Sequence, residues 1–518
     1  MFFLDKNRLK SNQKNETLEE GYSESQLLSI KLSTSLTENA GIFKKIIGDN
    51  ADLVIRTFTL GRSSIVPAAI FYFDNLIDSD HLDTNILQPL LNDSYISGLK
   101  SASEIVNNIH AGNIITRAQI KANRNVKELI DGIIDGYVLL FIEGLNEIFM
   151  IDTKGSSNYR SISEAQVETV VRGPRDSFIE VLSINLSLIR KRIHNPNLIF
   201  ESMKIGKITK TSICIGYIKG ICSKKLISEI RLKLSRIDTD VILADSYIEE
   251  FINDKPFSIF PQMRNTERPD VASAALLEGR VVIIVDNSPV VLIVPGEFFS
   301  LMQSAEDYYD RYAFSTLVRL LRYFSLTLAL ILPAFYIAIV NFHQELIPTK
   351  LLVSIISART GVPLPNFAEA FIMEGTFEIL REAGVRLPRP VGQAVSIVGA
   401  LVIDQAAVQA SIVSPLMVII VALTGIATFS IPQYNISLPI RISRFFLMIL
   451  SSILGLYGLM LGILFLTIHL CSIRSFGTPY LSPLAPFKAS DLKDTLIRTP
   501  LKPFKKHNRK VTHNKRPM

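Results

Sequence analysis

The pattern of apolar and polar positions changes character at Arg322. Before it, apolar residues come in short runs separated by charges and turn residues; after it, charges are sparse and the apolar runs lengthen. Residues 323–342 carry no formal charge and are long enough to span ~30 Å of hydrocarbon as a helix. Pro333 lies inside this run, where a membrane helix tolerates it better than a soluble one. Residues 445–473 form a second, longer charge-free run, bounded by Arg444 and Arg474. Between the two, 405–440 is uncharged but broken by Pro415, Pro432 and Pro439. Together with 391–403 it can supply two helices that meet near Ser414 and Pro415.

The stretch before Arg322 predicts strands and helices in mixture. Residues 51–60 and 63–73 read as paired strands around Gly61 and Arg62, and 136–142 with 147–151 as a second hairpin. Residues 152–173 read as a polar connector and 176–193 as a helix. Residues 211–218 then predict a strand, and 224–237 and 245–253 two helices. A third helix is expected at 269–278, with Pro269 in its first turn and Gly279 at its end. Residues 280–286 and 290–294 are strands flanking Asn287, Ser288 and Pro289. The expected fold class is an α/β cytosolic region in two subdomains, followed by an all-α multi-spanning membrane domain. The divisions are a polar tail at 1–24, subdomains at 25–155 and 156–305, a membrane domain at 306–475 and a basic tail at 476–518.

Two parts of the membrane domain carry candidate chemistry. Residues 391–413 hold small residues at four-residue spacing, among them Ser396 with Ala400 and Ala406 with Ala410, which lets helices approach closely. Asp404 lies in the middle of that stretch. It is either a functional carboxylate facing inward or an Asp at a helix junction near the interface. The connection at 343–390 is too polar to span a bilayer, and within it 366–383 predicts an amphipathic helix. On a helical wheel Glu374, Glu378 and Glu382 fall within about 80° of one another, opposite Ile372, Met373, Thr376, Ile379 and Leu380. The plainer reading is a solvated acidic face, with Glu378 paired to Arg381 and Glu382 to Arg386. The sharper one is a ring of such faces lining a cation vestibule.

Net charge is +7, and residues 485–518 contribute ten Lys or Arg against Asp491 and Asp494, so the rest of the chain sums to −1. A basic tail directly after a membrane segment fits attraction to anionic lipid headgroups. Nucleic-acid binding is disfavoured because no aromatic residues interleave the charges. The N-terminus has no apolar run of signal-peptide length. Arg311, Arg319 and Arg322 before the first span, and the basic tail after the last, place both termini on the cytoplasmic side. That parity requires an even number of crossings, and four fits; a re-entrant middle segment is the alternative, because Arg386, Arg389, Arg441 and Arg444 would otherwise lie on the far side. Cys214, Cys222 and Cys471 have no metal-site spacing and read as free thiols. No phosphate loop, HExxH, GxSxG or GxGxxG motif is present. The residues give no catalytic, cofactor or metal site, and no enzyme is expected.

Several long motifs resemble the A-subunit family of GerA-type spore germinant receptors. They are SAEDYYDRYAFSTLVRLLRYFSLTLALILPAFYIAIVNFHQELIP from Ser304 and GTFEILREAGVRLPRPVGQAVSIVGALVIDQAAVQASIVSP from Gly375. VRGPRDSF, with Arg172, Gly173, Pro174 and Arg175, is similar to the family pattern, as are Glu267, Arg268, Pro269 and Asp270 in TERPD, LEGR from Leu277, and DLKDTLIR from Asp491. The resemblance implies a receptor subunit in the inner membrane of the spore, acting with a permease-like B subunit and a lipoprotein C subunit. It also implies self-association and ion conduction gated by nutrient recognition on partner subunits. Glu374, Glu378, Glu382 and Asp404 are the ion-path candidates under that expectation. A non-conducting scaffold coupling the B subunit to downstream machinery is the alternative. The chain departs from the family pattern at Asp404 and Asn287, where glycine is expected, and at Ala165, where proline is.

Overall fold

The computed structural model describes residues 22, 24–48, 50–60, 66–74, 76–91, 120–153, 164–165, 167–386, 404–487 and 494–498. They fall into two compact units, one of residues up to Asn253 together with Met263–Pro295, the other of Asp254–Gln262 with residues from Gly296 onward.

The first unit is built on two antiparallel sheets. Strands β1 (Leu53–Leu60), β2 (Val66–Phe73), β3 (Ile120–Asn123), β4 (Tyr137–Ile142) and β5 (Ile148–Asp152) pair in the order β1-β2-β4-β5-β3. β4 reads as an unbroken apolar run because both sheet faces are covered. Val138, Leu140 and Ile142 point into a cluster with Leu82, Ile86 and Leu90, while Leu139 and Phe141 point to the opposite face, against helices α1 (Leu36–Ile47) and α2 (Val126–Ile134). Phe43 of α1 meets Phe141 edge-on with ring centroids 5.1 Å apart.

The second sheet repeats this plan. Strands β6 (Leu198–Ile205), β7 (Thr211–Ile218), β8 (Arg264–Thr266), β9 (Val281–Val285) and β10 (Val291–Val294) pair in the order β6-β7-β9-β10-β8. Helix α3 (Leu182–Arg190) precedes the sheet, as α1 precedes the first. Helices α4 (Lys224–Ser235) and α5 (Asp245–Ile252) follow the opening hairpin, and α6 (Pro269–Leu277) stands between the third and fourth strands, where α2 stands in the first subdomain. Each subdomain thus runs helix, hairpin, strand, helix, hairpin with its strands in the order 1-2-4-5-3. This internal repeat has no counterpart in residue-by-residue similarity that the sequence reading detected.

The α/β expectation holds for this unit. The strand expected at 211–218 is β7, and those at 280–286 and 290–294 are β9 and β10. Asn287 in their turn has φ 65°, a left-handed conformation that Asn accepts in place of glycine. The helix expected at 176–193 is shorter. Its first residues are extended, and the Phe178 N–H donates to the Glu267 carbonyl at 2.7 Å instead of entering a helix.

The second unit is helical. Helix α7 (Tyr312–Phe342) runs unbroken through Pro333, and α8 (Thr349–Ala358), α9 (Asn366–Arg386) and α10 (Pro415–Phe429) follow. The stretch Tyr434–Ser472, helix α11, continues through Pro439 but is interrupted at Gly455, whose φ of 62° and ψ of −141° are not helical. The 445–473 run is therefore no single rod. Phe446 and Phe465 have ring centroids 5.8 Å apart, whereas nineteen residues of straight helix would separate them by ~28 Å. The two arms fold back on each other as a hairpin, with Gly462 so close to Leu447 that a Cβ there would lie 2.4 Å from its Cδ2. Two stretches, Tyr312–Phe342 and Tyr434–Ser472, are long and apolar enough to cross a membrane. After the hairpin, residues 473–487 stay packed, with Tyr480 buried against Phe298 and Ile473. The small-residue stretch at 391–403, the turn at Gly61 and Arg62, most of the N-terminal tail and the basic residues beyond 498 lie outside the described residues.

Candidate functional site

In α9 the expected faces are only partly observed, Met373 being buried as expected. Ile372 and Ile379 face outward, 48% and 71% exposed, while Glu374 is fully buried. The acidic stripe is thus no solvated face, apart from Glu382, which is exposed. Glu374 and Glu378 lie one turn apart on α9, and Arg441 and Arg444 one turn apart on the first arm of α11. The helices meet antiparallel, so Arg444 Nη1 donates to Glu374 and Arg441 Nη1 donates to Glu378. Both side chains of the Glu374–Arg444 pair are completely shielded from solvent. Arg381 is 3.6 Å from Glu378, as the plainer sequence reading expected, and its guanidinium is held between the rings of Phe377 and Phe429, 5.0 and 4.9 Å from their centroids. Gly425 of α10 makes room for Phe377, since a Cβ there would lie 2.5 Å from the ring.

Five residues before Glu374, Glu369 is fully buried and accepts from both the backbone N–H and the hydroxyl of Ser414, the residue that caps α10. A carboxylate is favoured there by the unpaired N–H groups of the helix start. Arg359 lies 3.6 Å away on its other side. The result is a ladder of charged side chains through an apolar helical unit. It is only partly satisfied: Glu374 Oε1, Arg444 Nε and Nη2, and Arg381 Nε and Nη2 make no hydrogen bond among the described residues. Each such buried atom costs ~1–3 kcal/mol. Asp404 opens the short helix Asp404–Gln409, and its side chain lies outside the described residues. The structure therefore brings Glu374 and Glu378 together with arginines that the sequence reading had placed in loops. The signal available was the presence of Arg441 and Arg444 inside an otherwise apolar helix.

A second cluster stands at the start of α7. Asp307 accepts from Arg319 Nε at 2.9 Å and from Arg322 Nη1 at 2.8 Å, all three side chains being buried. Arg319 Nη1 also donates to Asp494, which accepts from the Tyr308 hydroxyl at 2.8 Å. The Tyr323 hydroxyl donates to the Thr495 carbonyl, and the Arg498 N–H to Thr316 Oγ1. Arg319 ties residues 494–498 to the start of α7, while Arg322 is spent on Asp307.

In the first unit Arg190 is the charged group that sequence reasoning missed. Its guanidinium donates to Asp52 at 2.6 and 3.0 Å and lies 3.9 Å from the centroid of Phe73, joining the two subdomains. Beside it is a cleft of about 350 Å³ lined by Asp52, Asp74, Leu182, Ser212, Cys214 and Asp286. Burial pushes the Cys214 thiol well up, so the cleft holds no reactive thiolate.

Residues 41–510 match the family described as Bacillus/Clostridium GerA spore germination protein. Spore germination protein KA of Bacillus subtilis is 46% identical over 91% of this chain and 86% of its own length. The chain belongs to the GerA spore germination family. GerA relatives at greater distance include spore germination protein B1 of Bacillus subtilis, 39% identical over 91% of this chain and 96% of its own. Among solved structures, the N-terminal domain of the A subunit of the Bacillus megaterium spore germinant receptor GerK3 is similar, with 33% identity and a TM-score of 0.42 over 52% of this chain and 98% of that one.

Two GerA motifs far apart in sequence meet in this chain. Arg268 is buried and donates to Asp270 at 2.8 Å, to the Pro174 carbonyl at 2.9 Å and to the Glu168 carbonyl at 3.3 Å. TERPD thereby fastens the segment of Arg172, Gly173, Pro174 and Arg175 to the start of α6, with Pro269 in the first turn. Arg175 is exposed and reaches Glu164 at 3.2 Å. This geometry gives Arg268 a positioning task inside the second subdomain.

Proposed function

We propose that this chain is the membrane subunit of a nutrient germinant receptor and that copies of it associate around an ion-conducting path. The observation that carries the reading is the pairing of Glu374 and Glu378 with arginines inside a helical unit whose α9 turns Ile372 and Ile379 outward. Exposed aliphatic side chains suit hydrocarbon, and inward pairing is what carboxylates there require. Exposed Ile419, Ile426, Phe429, Ile453, Met460 and Phe465 on α10 and α11 extend the same apolar exterior.

Four crossings follow from this reading: α7, α10 and the two arms of α11. Ala427 clusters with Ala329, and Met417 with Ile337, so α10 runs antiparallel to α7 through the same depth. Four crossings return both termini to one side, the cytoplasmic side by the positive-inside rule. The germination role comes from family membership. A permease-like B subunit, a lipoprotein C subunit and anionic lipid at the basic tail are its partners in this proposal.

Within the path the four carboxylates divide. A carboxylate in contact with a guanidinium raises no local cation concentration, so Glu374 and Glu378 hold α9 to α11. Glu382, exposed near the end of α9, and Asp404 are the carboxylates assigned here to attract cations. The test is cation release from spores exposed to nutrient, normalised to the amount of this chain in the spore membrane. Glu382→Gln and Asp404→Asn should lower normalised release by several-fold. Unchanged normalised release in both variants would favour a non-conducting scaffold.

A further inference from the structure

Residues 254–262 form a loop seated on the last turn of the second arm of α11. Lys255 Nζ donates to Ser472 Oγ at 2.9 Å, and Ser258 Oγ meets His469 Nε2 at 3.0 Å. Phe260 is buried and lies 6.0 Å, centroid to centroid, from the His469 ring. The loop is closed on itself as well. The Lys255 N–H donates to Gln262 Oε1 at 3.0 Å, and Gln262 Nε2 donates back to the Lys255 carbonyl at 2.8 Å. The Ser258 N–H donates to the Lys255 carbonyl at 3.1 Å, making a tight turn with Pro256 in the position where its fixed φ helps.

At the tip of this braced turn stands Phe257, 100% exposed, with Ile259 beside it in sequence at 44%. Single exposed apolar residues are common on protein surfaces, but a fully exposed Phe on a rigid turn gains nothing from its own fold. Its surroundings point to one occupant. Leu464 and Ile468 on the arm below are 55% and 60% exposed, so the apolar exterior of the helix runs up to the turn on which the loop rests. Residues 473–487, packed into the same cluster as Phe260, add Leu484 and Phe487 at 49% and 70%. Lys255 and Arg474 supply exposed cations at this end of the helix. Aromatic and aliphatic side chains mixed with cations at the end of a spanning helix match the headgroup boundary of a bilayer.

We propose that the 254–262 loop is a rigid foot seated on the lipid surface, with Phe257 inserted at the headgroup–acyl boundary. This rests on the membrane reading of α11 given above. The chain contains no Trp, so Phe257→Trp places a single fluorescent reporter in the whole protein. The full chain would be reconstituted in phosphatidylcholine vesicles with bromines placed either shallow or deep on the acyl chains. The proposal predicts that shallow bromines cut the emission of the Phe257→Trp variant by about half while deep bromines act weakly, consistent with insertion of roughly 5–10 Å. Met460→Trp is the control: Met460 is 69% exposed and twelve residues, ~18 Å, from the helix end, so deep bromines should quench it strongly. Quenching of the control without quenching at position 257 overturns the foot and leaves the membrane reading standing; access of aqueous acrylamide to the reporter at position 257 would then mean solvent, and protection from both quenchers a protein partner. No bromine quenching at either position overturns both.

Discussion

The two units bury arginine in different ways. In the α/β unit, buried guanidiniums reach loop carbonyls as well as carboxylates: Arg268 donates to Pro174 and Glu168 beside Asp270, Arg280 to Pro295 at 3.1 Å, and Arg190 to Asp52. Loops between strands and helices have carbonyls to spare. Within the helical unit most carbonyls are spent inside their own helix, so Arg444 and Arg441 of α11 find carboxylates on α9. The carbonyl contacts of the first unit fix loops, while the pairs of the second tie whole helices together through single side chains.

That contrast is tested hardest at Glu374. Glu374→Gln leaves Arg444 buried against a neutral partner, and breaking such a pair costs ~3–5 kcal/mol. The folded fraction recovered in detergent should fall sharply, and Arg444→Gln added to it should restore most of the loss. If the double variant is as unstable as the single one, the pair is not the joint. Gly425→Ala comes next. Its methyl group meets the Phe377 ring, so overpacking should cost ~1–3 kcal/mol and loosen α9 from α10. A melting temperature equal to that of the parent would show that α9 does not press on α10.

The α/β unit offers a charge of the opposite kind. Burial, helped by nearby Asp245, raises the Glu249 carboxyl to about 7. A raised acid pKa means the folded state binds the proton more tightly than the unfolded chain does, so stability is lost as pH climbs from about 4.5 through 7 and stays low above that. Glu249→Gln removes this penalty. Allowing for its partial exposure, the variant should be about 1–2 kcal/mol more stable than the parent at pH 8 and equal to it at pH 4, read by thermal melting of the purified chain. The smallest effect belongs to the surface pair Lys207–Asp238, where both side chains are mostly exposed. Asp238→Asn should change stability by no more than ~0.5 kcal/mol, and that little should vanish in high salt.

Legibility in the sequence followed what each signal depends on. β7 could be read to its ends because its apolar run and its flanking residues agree. β6 escaped because Leu198 to Phe200 are buried together and only the later residues alternate, and β8 is too short to have a period. The hairpin in α11 was missed because an apolar run with glycines reads the same whether it continues or folds back. Only Gly455, with its positive φ, makes the turn, while Gly458 and Gly462 allow the arms to touch. For α9 the wheel finds two faces, and only the surroundings decide what is buried: Met373 is inside as expected, and Glu374 with it. The partners of Glu374 and Glu378 lie some sixty to seventy residues away, beyond any local pattern. The family motifs were legible, and their meaning as joints, Arg268 on Pro174 and Arg319 on Asp494, came only from the fold.

The most direct test of the account is monovalent cation flux through the reconstituted receptor, with this chain and its partner subunits in liposomes. Addition of nutrient should start a flux that disappears when this chain is left out. Per assembled receptor, Glu374→Gln should leave that flux nearly unchanged while reducing how much receptor assembles, and Asp404→Asn should reduce it several-fold. Full assembly with no nutrient-triggered flux in the unmodified receptor would contradict it.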